Sequence, residues 1–277
     1  MSFRAGLILS VTLAAAPMSA AMAGSAGIVV DDDAVYPVAL VSGYDFVKES
    51  FGSYTGLFWA IRGDLARDGV VLRILGSYDT YEYDVDSSLT KKYWPRVAID
   101  GEVWAGDVML GYQWVRGDFT TGIYLGVEHQ DHDLSPDDRT NSVRGSETGF
   151  KVALDVEKEV SAYSPYFAEI YGSYSTAFDT YFVEGRLGLP FNRLIVGPEV
   201  VFYGDQSGDA QRVGAFLKTD LPPLLFRDTE SDVMLSAGYQ FTDDSSSSVG
   251  SEGVYVSLRF TTVFARRLQQ EPLEPLK

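Results

Sequence analysis

Apolar and polar residues alternate along most of this chain, in segments of about 10 residues. In one segment Trp104, Val108 and Leu110 share one face, while Asp107 lies on the other. A period of two is the pattern of a β-strand with one polar face. After Gly24 no stretch approaches the roughly 18 consecutive apolar residues that a transmembrane helix requires. Any part of the mature chain that spans a membrane must therefore do so with strands.

Two architectures fit this alternation: a membrane barrel with its apolar face toward lipid, and a periplasmic β-sandwich with its apolar face inward. Three features favour the barrel. Aromatic residues such as Trp104 and Trp114 lie near the ends of apolar stripes, the strands exceed the usual length of about 5–6 residues, and short and long connections alternate. We predict an all-β fold, namely a closed antiparallel transmembrane β-barrel of the outer-membrane type with about 12 strands. The sandwich is the alternative.

The predicted strands are separated by turns and loops of two kinds. The strands are 37–46, 53–65, 69–82, 101–115, 118–129, 146–157, 164–175, 179–188, 193–204, 210–220, 231–241 and 252–264. Gly, Pro, Asp and Asn favour tight periplasmic turns at 66–69, 115–118 and 189–192. Longer outer loops are expected at 84–100, 130–145, 204–209 and 243–250, with both termini in the periplasm.

The first 23 residues have the features of a secretory signal peptide. Arg4 supplies a positive start, residues 5–16 are apolar, and Ala21-Met22-Ala23 is a small-x-small cleavage pattern. A membrane anchor is the rival interpretation, but the apolar run is shorter than the ~20 residues that span a bilayer. The sequence therefore predicts export.

The rest of the chain divides into three parts. We expect an N-terminal periplasmic segment, the transmembrane barrel and a flexible C-terminal tail, over residues 24–36, 37–264 and 265–277 respectively. The tail contains Pro272 and Pro275, which cannot continue a central strand.

Acidic residues outnumber basic ones, with 39 Asp and Glu against 22 Lys and Arg and a net charge of −17. Such a chain repels the phosphate backbone, so we expect no nucleic-acid partner. The absence of Cys excludes a disulfide scaffold and thiol chemistry. With 17 Tyr and 16 Phe, the chain has enough aromatic surface to bury that disorder is also excluded.

Five sequence segments resemble those of a known protein family. They are SGYDFVKESFGSYTGLFWAI from Ser42, LSPDD from Leu134, STAFDTY from Ser175, FYGDQSGDAQRVGAF from Phe202 and GYQFTDDSSSSVG from Gly238. Together they resemble the cellulose biosynthesis protein BcsS family over most of the mature chain. The resemblance implies an accessory role in bacterial cellulose production at the outer membrane. It supplies no assigned active site, so no functional residue is carried over.

With the apolar face outward, charged side chains of both signs point into the barrel. The predicted lumen lining is Arg62, Arg73, Asp107, Lys151, Glu169, Arg186, Glu199 and Arg259. One interpretation is a structural lattice of ion pairs, because unpaired buried charges are costly. The other is a polar conduit for a neutral glucan, in which Phe58, Tyr124, Phe167, Tyr171, Phe216 and Tyr255 offer stacking surfaces.

The segment from Tyr203 to Arg212 combines aromatic, acidic, amide and guanidinium groups at a predicted hairpin tip. Loop tips keep polar groups free for a ligand, so we predict glucan contact by Tyr203, Asp205, Asp209 and Arg212. Alternatively, Arg212 pairs with Asp209 and only braces the hairpin.

Residues suited to catalysis are few. The two histidines, His129 and His132, follow a predicted strand in an acidic segment. They could act as a metal ligand or a catalytic base, but a solvated loop is the simpler interpretation. The other acidic loops are also expected to be solvated, with Ca²⁺ binding as the alternative. We expect no catalytic residue, no metal site and no cofactor.

The expected function is therefore that of a non-enzymatic accessory outer-membrane barrel in cellulose biosynthesis or export, as a scaffold or in handling glucan. Its partners would be outer-membrane lipid and, as the resemblance implies, the glucan chain and other cellulose-synthesis proteins. The alternatives are an oligosaccharide channel and an outer-membrane hydrolase or lipid-modifying enzyme that uses a histidine as base.

Overall fold

Twelve strands, in the part of the chain that the structure describes, form one closed antiparallel barrel. A computed structural model describes residues 34–85, 97–222, 229–242 and 251–267. Within these ranges no helix combines the length and the apolar composition needed to cross a membrane. The predicted signal peptide, most of the expected loop 84–100, all of loop 243–250 and residues 268–277 of the expected tail lie outside the described residues.

Each strand is hydrogen-bonded to its neighbours in sequence, and β12 pairs with β1 to close the ring. The strands are β1 Ala34–Val47, β2 Ser50–Ala60, β3 Gly69–Val85, β4 Val97–Arg116, β5 Phe119–Ser135, β6 Gly145–Lys158, β7 Phe167–Ser175, β8 Tyr181–Phe191, β9 Leu194–Asp205, β10 Gly208–Leu221, β11 Thr229–Thr242 and β12 Gly253–Arg267. The predicted fold class is confirmed, and β1 and β12 each extend three residues beyond the expected barrel limits.

The β1–β12 pairing shifts register between Val35 and Val38. Pro37 lies in this interval and has no N–H to donate to the ladder, which is why a bulge forms there. The N–H of Tyr36 is instead satisfied by Asp64, whose Oδ1 accepts it at 3.1 Å. The carbonyl of Tyr36 accepts from the N–H of Leu65 at 2.8 Å. The β2–β3 connection therefore compensates for the irregular start of β1.

The outer face of the barrel is apolar. Phe150 is 76% exposed, and Trp104 and Leu125 are each 62% exposed. A soluble sandwich would bury such side chains, whereas a membrane barrel turns them to lipid. Trp104 packs on Tyr78 with ring centroids 4.5 Å apart, at one end of the apolar stripe of β4, and Trp114 packs on Tyr112 at the other. These pairs lie where interfacial aromatic girdles are expected.

The inner face combines large aromatic rings with glycines on the adjacent strand. The ring of Tyr54, on β2, lies over Gly43 of β1, and the ring of Tyr81 lies over Gly101 of β4. A Cβ at either glycine would overlap the ring. The large rings therefore fit inside the barrel because the facing wall has no side chain.

The connections differ from those expected. Two-residue turns join β1 to β2 and β9 to β10, at the end where long loops were predicted, and eight-residue connections at 61–68 and 159–166 lie at the end with the chain termini. The expected alternation of short and long connections therefore holds only in part: the short turns predicted at 115–118 and 189–192 are present, whereas the one at 66–69 belongs to a longer connection. Because β2 ends at Ala60 and not at residue 65, Arg62 lies exposed in a turn.

Candidate functional site

One buried ion network in the lumen surrounds Arg186 of β8. Its guanidinium donates to the carboxylates of Glu184 and Glu199, and to Oε2 of Glu169 at 3.3 Å. All four side chains are at most 1% exposed. Glu199 also accepts from the hydroxyl of Ser236 at 2.8 Å. Three carboxylates from β7, β8 and β9 thus share one guanidinium, and pairing of this kind reduces the cost of burying charge.

Arg259 and Glu169 extend this network across the bore. Nη1 and Nη2 of Arg259 donate to Oε1 and Oε2 of Glu169 at 2.6 and 2.7 Å, a bidentate pair. Arg259 is on β12 and Glu169 on β7, so four strands lie between them on one side of the ring and six on the other. The two side chains therefore meet from nearly opposite walls and occupy the bore at that height.

A second network joins β3 to β7. Nζ of Lys151 lies 2.7 Å from both Oδ2 of Asp107 and Oε1 of Glu128. Arg73 lies 3.5 Å from the same Asp107 oxygen and donates to the hydroxyl of Tyr171 at 2.7 Å. All five residues are buried. This network fills the part of the lumen that β3 to β7 enclose.

A third network is centred on Arg212 of β10. Its two terminal nitrogens donate to the two oxygens of Asp45 on β1, at 2.8 and 2.9 Å. Its Nε donates to Oε1 of Gln240 at 2.8 Å, and the hydroxyl of Tyr203 donates to the same oxygen at 2.6 Å. The guanidinium also lies 4.8 Å from the ring centroid of Tyr255. Strands β9 to β12 and β1 are thereby linked inside the barrel.

Seven of the eight predicted lumen residues are buried inside the barrel; the prediction for Arg62 is wrong because β2 ends before it. The contacts correspond to a lattice of pairs. The six aromatic residues considered for sugar stacking are each at most 3% exposed. Two of them, Phe167 and Phe216, pack on each other with centroids 5.7 Å apart. No open sugar-binding surface is formed by these six rings.

The placement of the four predicted glucan-contact residues at a loop tip is wrong for two of them. Tyr203 and Arg212 belong to the wall, and both side chains are buried in the lumen. Both residues lie within the strands predicted over 193–204 and 210–220, and their parity turns the side chains into the lumen and away from the two-residue turn at Gln206 and Ser207. Arg212 pairs with Asp45, a partner that the sequence analysis missed, and not with Asp209. The sequence does indicate that Asp45 faces the lumen, because it lies in β1 between Tyr44 and Phe46, which face outward.

The two acidic residues near that turn are engaged locally. Oδ1 of Asp205 accepts from the N–H and the hydroxyl of Ser207, at 2.7 and 2.6 Å. Oδ1 of Asp209, which is exposed, accepts from the hydroxyl of Tyr181 at 2.8 Å. Both carboxylates therefore brace the hairpin.

The barrel end opposite the termini is covered by connections. The β5–β6 connection is held by Tyr83, whose hydroxyl donates to Oδ2 of Asp138 at 3.0 Å and accepts from Nδ2 of Asn141 at 2.9 Å. Val143 of the same connection is fully buried. From the β7–β8 connection, Phe178 packs edge-on against His132 with centroids 4.8 Å apart. This inward folding had no clear signal in the sequence.

The two histidines point in opposite directions. His132 is buried inside the barrel, where Nε2 lies 3.2 Å from Oε1 of Gln130. His129 is on the outer face, with Nδ1 2.7 Å from the hydroxyl of Thr148. Successive odd and even positions of a strand face opposite sides, so the two rings cannot share a site. In the described part of the chain, no three His, Cys, Asp or Glu side chains are placed to hold a metal ion.

The barrel end that carries the termini has a cavity of about 370 Å³, which we call the terminal-end cavity. It lies between the β6–β7 connection and the adjoining ends of β9, β10, β11 and β12. Its lining includes Glu159, Val160, Ile195, Lys218, Asp220, Glu230, Asp232 and Val263. Lys218 donates to Oε1 of Glu159 at 2.6 Å, and the hydroxyl of Tyr36 donates to Oε1 of Glu230 at 2.9 Å.

Comparison with solved structures finds proteins that have low structural and sequence similarity to this chain. The β domain of the Bordetella autotransporter BrkA has a TM-score of 0.43 and 14% identity, covering 84% of this chain and 100% of that one. The KdgM porin in complex with disordered oligogalacturonate has a TM-score of 0.37 and 8% identity, covering 83% and 99%. The CymD monoaromatic hydrocarbon channel has a TM-score of 0.41 and 7% identity, covering 85% and 90%. These likenesses carry no argument about function.

Comparison of sequences is more informative. No curated protein has a sequence that matches this chain significantly. Residues 39–264 match the family model described as cellulose biosynthesis protein BcsS. The match begins in β1 and ends in β12, so it covers nearly the whole barrel.

Proposed function

Since the chain belongs to the cellulose biosynthesis protein BcsS family, we propose that it is a non-enzymatic accessory barrel of the outer membrane, a scaffold for cellulose production and not the path of the glucan. The apolar outer face supports the membrane setting. The partners are outer-membrane lipid and proteins of the cellulose machinery. The observation that carries the proposal is the bidentate pair of Arg259 and Glu169 across the bore.

The energetics of the lumen argue against a conduit. A glucan chain could pass only if the pair across the bore and pairs at other heights, such as Lys151 with Asp107 and Arg212 with Asp45, came apart. Breaking a buried pair costs about 3–5 kcal/mol. Three such pairs together cost about as much as the ~5–15 kcal/mol that stabilises a whole domain. A scaffold has no need of this opening.

The same lumen gives no support to the hydrolase alternative. His132 is buried against Gln130 and Phe178, and His129 faces outward on the strand. A general base has to lie within hydrogen-bond reach of its substrate. Replacing both histidines with Ala should leave cellulose output unchanged, whereas complete loss of output would favour catalysis.

Deletion of the gene tests the scaffold against the conduit. We expect less cellulose at the cell surface without accumulation of glucan in the periplasm, because synthesis itself loses its support. The purified wild-type barrel should also give no steady conductance in planar bilayers. Accumulation of periplasmic glucan in the deletion strain, or a steady conductance of the wild-type barrel, would contradict the proposal.

A further inference from the structure

The terminal-end cavity is strongly acidic. Among the described residues that line it, four carboxylates, those of Glu159, Asp220, Glu230 and Asp232, accompany a single ammonium, that of Lys218. Asp220 and Asp232 are direct cross-strand partners in the β10–β11 pairing. Like charges in that position repel each other and destabilise the sheet. The excess of negative charge is therefore maintained at a cost to the fold.

Nearby cations do not donate a hydrogen bond to the buried Oδ1 of Asp232. The positive groups whose fields reach it are Lys218 and Arg259. Lys218 is bound to Glu159 at 2.6 Å, and Arg259 forms the bidentate pair with Glu169. Both cations attract Asp232 through space, but their hydrogen-bonded ion pairs are with other carboxylates.

The side chain of Asp232 gives a further indication, independent of the net charge, that the cavity binds a ligand. Its side chain lines the cavity, its residue is only 7% exposed, and its buried Oδ1 accepts no hydrogen bond from the described residues. A buried carboxylate oxygen without a donor costs about 1–3 kcal/mol or more. A group that donates to it on binding would remove that cost.

The shape and the walls of the cavity indicate the kind of donor. Val160, Ile195 and Val263 provide aliphatic walls, and the described lining contains no aromatic ring on which a sugar could stack. Long basic side chains bury their methylene stems on such walls while the charged head reaches polar groups. Among the described residues of the cavity, no three acidic side chains are placed to hold a metal ion.

We propose that the terminal-end cavity binds an organic cation, an ammonium or guanidinium group that donates to Asp232. A partner protein could present the group on a lysine or arginine side chain, or a free amine could supply it. The proposal stands apart from the scaffold role, since it is tested on the purified barrel without glucan.

The test measures binding to the full-length mature barrel in detergent by fluorescence anisotropy. The probe is a labelled Gly-Ser-Arg-Ser-Gly peptide, and the same peptide with neutral citrulline in place of Arg is its control. Asp232→Asn removes the orphan charge. Asp131→Asn, at an exposed outward-facing position of β5, removes the same charge elsewhere. Heat-modifiable gel migration verifies that both variants are folded.

We expect saturable binding of the Arg peptide, weakened at least 10-fold by citrulline and at least 10-fold by Asp232→Asn, and unaffected by Asp131→Asn. Displacement by agmatine would assign the site to any free guanidinium or amine. Failure of agmatine to displace the peptide, with the effect of Asp232→Asn retained, would assign it to a peptide-borne cation. Equal effects of the two Asn variants, equal binding of the citrulline peptide, or displacement by cellopentaose would overturn the proposal.

Discussion

Asp64 and Tyr36 are joined by a hydrogen bond from the N–H of Tyr36 to Oδ1 of Asp64 at 3.1 Å. The same oxygen accepts from the N–H of Ala66 at 2.9 Å. One carboxylate thus holds both the bulged start of β1 and the turn that follows β2. Because the barrel closes at β1, this contact supports the seam between the first and the last strand.

Replacing Asp64 with Ala should lower the free energy of unfolding by about 1–3 kcal/mol, since it leaves the buried N–H of Tyr36 without an acceptor. Urea unfolding of the barrel in lipid vesicles, followed by tryptophan fluorescence, measures this change. Asp131→Ala removes an exposed carboxylate and should change stability by less than about 0.5 kcal/mol. Equal effects of the two variants would show that the Asp64 contact does not support the seam.

Replacing Glu169 with Ala should destabilise the barrel by about 3–5 kcal/mol, because Arg259 loses its bidentate partner inside the lumen. The additional change Arg259→Met should recover part of the loss, since the unpaired cation is then removed as well. The matched control is Asp137→Ala, which breaks exposed pairs with Arg139 and Arg144 and should cost at most about 1 kcal/mol for each pair. Additive effects of Glu169→Ala and Arg259→Met in urea unfolding would contradict their coupling.

Replacing Gly43 with Ala should destabilise the barrel by about 1–3 kcal/mol, because the new methyl group overlaps the ring of Tyr54. Tyr54→Ala in the same chain should remove the extra cost of the Ala at position 43. Gly106→Ala is the control, since its methyl group would meet only one atom, at an ordinary contact distance of 3.6 Å. A thermal scan of Gly43→Ala, Tyr54→Ala, their double variant and Gly106→Ala distinguishes steric overlap from a general effect of glycine replacement.

Acid should loosen the β6–β7 connection. Asp118, in the β4–β5 turn, accepts from the hydroxyl of Ser161 at 2.6 Å and from Nζ of Lys158 at 3.0 Å, and these contacts lower the pKa of its carboxyl. A lowered pKa means that the stabilisation is complete above the ordinary pKa of Asp and is lost as pH falls through the lowered value. Hydrogen exchange should therefore show less protection of the N–H of Ser164 at about pH 3 than at pH 6. Asp118→Asn should abolish this pH difference, and a difference that persists would assign it to another group.

The sequence was sufficient to predict the fold, because alternate residues of a strand face opposite sides of the sheet. Trp104, Asp107 and Leu110 lie on the faces predicted for them. The contact predicted for Tyr203 and Arg212 failed because both point into the lumen, although both lie inside predicted strands. The loop between these strands was predicted over residues 204–209, whereas the turn contains only Gln206 and Ser207. Turn-forming residues mark a turn but do not fix its length.

Partners across the bore could not be predicted. Arg212 and Asp45 are 167 positions apart, and they meet only because the ring closes with a particular number and stagger of strands. Neither the number of strands nor their stagger can be predicted from the residue pattern of a single strand. The inward face of Asp45 was within reach of the sequence, but its partner was not.

The pair across the bore also bears on how the barrel assembles. Arg259 is contributed by the last strand, whereas Glu169 and Arg186 lie on strands made much earlier. Until β12 docks, Glu169, one of the three carboxylates around Arg186, lacks the second guanidinium that pairs with it. Closing the seam therefore completes the backbone ladder and brings Arg259 to Glu169 in one event. Such coupling favours all-or-none closure. An intermediate in which β1 and β12 are only partly paired has unpaired backbone groups at its open edge and an incompletely paired carboxylate in its lumen.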